Sequence, residues 1–168
     1  MSLRDLERSL MDGVADIGAI TRERTWLVRP PYWWFNRATV TQYERHGLHM
    51  MLSDLKAYDG VNWGMHVFRR WNFRSQLTEF RHRLLEEDIP VVRGIIPMVV
   101  TFHDTNAYTA GHLMEYLELL IDEAERVGLR VDDQPYYDQA EDILEAALGR
   151  AVHPFRNGWS GGRHTAAS

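Results

Sequence analysis

The chain reads as all-α: a single-domain bundle of about five helices, with an aromatic connector and an irregular C-terminal tail. Three observations carry that reading. Apolar residues recur at three- and four-residue spacing through five segments, residues suited to capping stand at their ends, and no segment alternates strictly as a half-buried strand does. With 168 residues, 45% hydrophobic and 26% charged, the chain is long and apolar enough to bury a core. The helical domain is expected over residues 1–149 and the tail over 150–168.

Ser2 is the expected N-cap of a first helix whose Leu3, Leu6, Leu10, Val14, Ile17 and Ile20 recur on one face, and which must stop before Pro30. Trp26 to Asn36 (WLVRPPYWWFN) follows as a connector, extended because Pro30 and Pro31 restrict the backbone. Its four consecutive rings, Tyr32, Trp33, Trp34 and Phe35, cannot all face one core, so some must find a second surface on another helix or on a partner. A second helix is expected over Ala38–Tyr58, with Val40, Gly47, Leu48, Met51, Leu55 and Tyr58 on one face. Glu44 falls inside that face, where a carboxylate needs a proton, an ion pair or a bound cation. His46 and His49 lie one turn apart on the other side.

Tyr58, Asp59 and Gly60 then make a turn, and Ser75 caps a third helix, Gln76–Glu87, buried through Leu77, Phe80 and Leu84. Ile89 to Phe102 (IPVVRGIIPMVVTF) is core, fitting either a short helix beginning near Pro97 or an extended crossing. Thr101 to His112 concentrates hydrogen-bonding side chains beside that core, and Thr105, Asn106 or Thr109 can cap the next helix. This fourth helix carries a broad stripe of Ala110, Leu113, Met114, Leu117, Leu120, Ile121, Ala124 and Val127, ended by Gly128. His112, Tyr116, Leu119 and Glu123 form a ridge outside that stripe, suited to docking a helix. Asp133 caps a fifth helix with Pro135 in its first turn, turning Tyr136, Ala140, Ile143, Leu144 and Ala147 inward as far as Gly149. In the tail, Phe155 and Trp159 are potential anchors.

Several function classes drop out. The absence of cysteine excludes disulfides, thiolate catalysis and cysteine metal sites. No apolar run approaches the roughly 20 residues of a membrane helix, and Arg4, Asp5, Glu7 and Arg8 interrupt any leader-like start, so a cytoplasmic protein without membrane contact is expected. Phosphate-binding loops, dinucleotide fingerprints, zinc-protease helices, nucleophile elbows and calcium loops do not occur in the sequence.

The charge is divided along the chain. Residues 1–83 hold 13 basic and 9 acidic side chains, whereas residues 84–168 hold 6 and 15. The bland reading of the acidic block is a solvated helix face, and the sharper one is that it meets the arginine-rich segment of another partner, since opposed blocks of this kind steer association. The leading expectation is therefore a non-catalytic helical interaction or structural subunit of a homo- or hetero-oligomeric assembly, with no cofactor. Its contacts would come from Tyr32, Trp33, Trp34 and Phe35, from Arg69, Arg70 and Arg74, from the ridge of His112, Tyr116, Leu119 and Glu123, and from Phe155 and Trp159. The alternative is a small metal-dependent enzyme or metal-binding protein using histidine and carboxylate ligands. There His103 is the base or ligand and Asp104 its orienting acid or a second ligand, joined by His112 and Glu44. His46 with His49, and Glu79 with His82 in a single Glu-x-x-His, are further candidate ligands. A weaker alternative is nucleic-acid contact through residues 63–83, where arginines interleave with aromatic rings, although a pI near 5.9 opposes it.

Overall fold

The computed structural model describes residues 2–59, 68–86, 89–103 and 105–152. More than half of these residues are helical, in six α-helices, and they also form two short parallel strand pairs. They group into two compact units, residues 2–52 with 150–152, and Ser53–Gly149.

In the first unit, Ser2 caps α1 (Leu3–Thr21) reciprocally with Asp5: the Asp5 amide donates to Ser2 Oγ and the Ser2 amide to Asp5 Oδ2, each at 3.2 Å. Leu10 and Val14 of α1 pack on a buried cluster of Val40, Tyr43, Leu48 and Met50, while Leu3, Ile17 and Ile20 stay exposed. β1 (Leu27–Val28) pairs in parallel with β2 (His49–Met50). Between them lie a 3₁₀ turn, Pro31–Trp33, and α2 (Arg37–Arg45), which Asn36 caps. The second helix therefore stops well short of the expected Tyr58. Gly47, at φ +67°, ends it in a Schellman motif, with Leu48 N–H donating to the Tyr43 carbonyl and Gly47 N–H to the Glu44 carbonyl. Glycine adopts that φ without strain, and a Cβ there would also crowd an Arg24 guanidinium nitrogen at 2.6 Å. Beyond this stop the chain turns extended.

The second unit is built on β3 (Leu55–Lys56) and β4 (Val100–Thr101), parallel and in the register Leu55↔Val100, Lys56↔Thr101. Residues 89–102 thus realise the extended alternative. On the edge of β3, Gln76 makes the bonds a neighbouring strand would make: its Oε1 accepts from Lys56 N–H, and its Nε2 donates to the Lys56 carbonyl. Gln76 belongs to α3 (Arg69–Glu86), which begins earlier than expected and buries Phe73, Leu77 and Phe80. α3 packs on α5 (Leu113–Arg126), which the short α4 (Ala107–Gly111) precedes and a second Schellman motif at Gly128 ends. Leu55, Ala57, Phe73, Leu77, Tyr116, Leu119, Leu120 and Ala124 form this core. The last helix, α6 (Ala140–Gly149), starts later than Asp133. Asp132 accepts the Gln134 amide in a local turn instead, and Tyr136 and Ile143 stay partly exposed. Among the described residues, no helix is long and apolar enough to cross a membrane.

Candidate functional site

Two parallel strands bring their following residues to the same end, and β3 and β4 thereby deliver Asp59 and His103 to one place. The Asp59 side chain is fully buried. Its Oδ2 accepts the His103 backbone N–H at 2.9 Å and its Oδ1 meets His103 Nδ1 at 2.7 Å. Burial pushes the Asp59 carboxyl up, but hydrogen bonds from the His103 ring and amide outweigh it and hold the group below its ordinary value. Asp59 is thus ionised at neutral pH and can only accept, so the proton of the neutral imidazole sits on Nδ1. Nε2 is left as the basic lone pair on a side chain that is 43% exposed.

The surroundings fix this pair. Asn106 Nδ2 donates to the Asp59 carbonyl at 2.6 Å, while its Oδ1 caps α4 by accepting from Tyr108 N–H and Thr109 N–H. Phe102, which precedes His103, stands edge-on to Phe73 and Tyr116, with ring centroids 6.3 and 5.7 Å away. Burial raises the Tyr116 hydroxyl, and the Asp59 charge adds to that, while Arg69 opposes it. Immediately before Asp59, Tyr58 adopts φ +55°, a left-handed conformation that costs a tyrosine about 1–2 kcal/mol. One end of the parallel pair therefore joins a strained residue, a buried carboxylate and an accessible imidazole.

The other expected site residues are placed as follows. Asp104, Phe155 and Trp159 lie outside the described residues. His112 donates from Nδ1 to the Tyr108 carbonyl and stacks on the Tyr108 ring at 4.0 Å. Glu44 is exposed rather than inside an apolar face, because α2 ends one residue later and the face it was assigned to does not continue as helix. His46 pairs with Glu7, and His49 lies in β2. Glu79 and His82 are on the exposed side of α3. Among the described residues, no three histidine or carboxylate side chains converge as a metal site would require.

The ridge of α5 corrects the sequence reading most sharply. Tyr116, Leu119 and Glu123 are buried, whereas Leu113 and Met114 of the expected stripe are exposed. The buried Glu123 is paired. Arg70 and Arg74 of α3 donate to it at 2.5 and 2.6 Å, and Arg126 stands 3.5 Å away, which makes burial of the carboxylate tolerable. The Arg74 hydrogen bond is the chief reason the Glu123 carboxyl lies below its ordinary value despite burial. Arg69 pairs in turn with Glu115. The arginine block of α3 is thus engaged with acids of its own chain. In the connector, Phe35 packs on the first unit's core and Arg29 covers Trp33, but Tyr32 and Trp34 are 89% and 77% exposed.

The sequence points to His103 as a base or ligand but not to Asp59, which falls in the turn expected at the end of the second helix, a helix that stops at Arg45. The signal was there in part: two short apolar runs, each ending in an aromatic residue and then Asp59 or His103, read as parallel strands followed by functional loops. Comparison with known protein families, with curated proteins and with solved structures finds no match for this chain.

Proposed function

We propose that the protein is a general acid–base catalyst in which His103 exchanges a proton with a substrate through Nε2 and Asp59 orients the ring and stabilises its charged form. The observation that carries this reading is the 2.7 Å contact between His103 Nδ1 and a fully buried Asp59 carboxylate. A side chain placed in this way contributes about 10²–10⁴-fold to a reaction that moves a proton in its transition state. Hydrolysis of p-nitrophenyl acetate, a small activated ester that needs no fitted pocket, tests it. The protein-dependent rate is expected to fall at least about tenfold in His103→Gln, and by less in Asp59→Asn. A His103→Gln rate equal to that of the unchanged protein would refute the proposal, since the remaining histidines would then account for all of it.

A second reading retains the interaction subunit. Tyr32 and Trp34 favour it, because two large rings almost wholly in water are unusual away from a binding surface. The partner would be another copy or a second chain. Sedimentation at rising concentration is expected to show association that Tyr32→Ser with Trp34→Ser abolishes, and identical behaviour of the two proteins would count against self-association through these rings.

A further inference from the structure

We infer that Asn106 is the positioning residue of the Asp59–His103 pair, an inference that rests on the acid–base reading above. Asn106 is tied to both partners. Its backbone N–H donates to the His103 carbonyl at 3.2 Å, closing the turn that carries the imidazole. Its side-chain Nδ2 donates to the Asp59 carbonyl at 2.6 Å, clamping the loop that carries the carboxylate. Its Oδ1 accepts from Tyr108 N–H at 3.0 Å and Thr109 N–H at 3.4 Å, anchoring the whole arrangement to the start of α4.

No other amino acid supplies this set at that reach. Aspartate caps a helix about as well as asparagine but has no donor when ionised, and it would set a negative charge against the Asp59 carbonyl. Serine caps as well, on a side chain one atom shorter. Asn106 therefore does two separable things: it caps α4 through an acceptor, and it fixes the spacing of the 59 and 103 loops through a donor. Loss of the donor alone frees the Asp59 loop, so the imidazole is no longer held with its proton on Nδ1.

The test is a long-range ¹H–¹⁵N spectrum of the imidazoles of the full-length protein above neutral pH, with His103 assigned by its loss in His103→Gln. In the unchanged protein His103 is expected as the Nδ1–H tautomer. In Asn106→Asp that form is expected to give way to Nε2–H as the main species, with the p-nitrophenyl acetate rate falling in parallel and helix content by circular dichroism unchanged. Should Asn106→Asp not fold, Asn106→Ser is read in the same way. If the unchanged protein already shows Nε2–H, the acid–base reading itself fails. If it shows Nδ1–H and the folded variants keep it, Asn106 only caps α4 and the positioning role is overturned.

Discussion

Asp59 and His103 are 44 positions apart, yet their side chains make the contact on which the chemistry turns. The sequence pairs His103 more readily with its neighbour Asp104, because adjacency is visible in a string of letters and a contact closed by strand pairing is not. The imidazole was legible and its carboxylate was not. Asp59 also leaves a thermodynamic mark. Its folded-state carboxyl lies below the ordinary value, so the stabilisation is fully present above about pH 4 and is lost as the pH falls through the folded-state value. Asp59→Asn is expected to cost about 1–3 kcal/mol at pH 7, because a charged hydrogen-bond acceptor is removed from a buried site. Measured by urea unfolding, its deficit relative to the unchanged protein should shrink as the pH falls below about 4. A deficit that stays constant through that fall would mean that the carboxylate's charge is not what the fold uses.

Among the elements, the boundaries set by local hydrogen bonding were the easiest to read. Ser2 and Asp5 gave the start of α1, and Gly128 gave the end of α5. Gly47 carries the same stop signal as Gly128, but apolar residues continue beyond it at helical spacing, and that pattern disguised two strands as a helix. The orientation of α5 was hidden for a different reason. Apolar periodicity places Glu123 outward, and only the arginines of α3 make its burial possible. Arg74→Ala should therefore act as a core substitution although Arg74 itself is half exposed. It is expected to destabilise the protein at pH 7, moving the urea midpoint clearly below that of the unchanged protein. Because the folded-state Glu123 carboxyl is lowered, chiefly by Arg74, this cost should diminish as the pH falls below about 4 and the carboxylate takes up a proton. An effect within about 0.5 kcal/mol at pH 7 would place Arg74 among ordinary surface residues.

For the molecule as a whole, the sequence conveyed its helix-rich character and its division of charge, and the structure gives the charge an internal use: the basic α3 lies against the acidic α5. That pairing engages Arg69, Arg70 and Arg74 with acids of the same chain, and Tyr116, Leu119 and Glu123, also expected to meet a partner, are buried. Two separate buried clusters, one around Tyr43 and Met50 and one around Phe73 and Tyr116, each organise their own unit. The passage from the first unit to the second was not legible as a boundary, since the chain runs from Leu52 to Ser53 without glycine, proline or a shift in composition. The second unit holds the Asp59–His103 pair, and everything proposed for the chemistry depends on where one proton resides. The imidazole ¹⁵N spectrum of the intact protein, compared with Asp59→Asn, measures that directly. His103 should carry its proton on Nδ1 in the unchanged protein and shift toward Nε2–H in the variant, whereas an Nε2–H tautomer in both would show that Asp59 does not orient the ring and that His103 presents no base to a substrate.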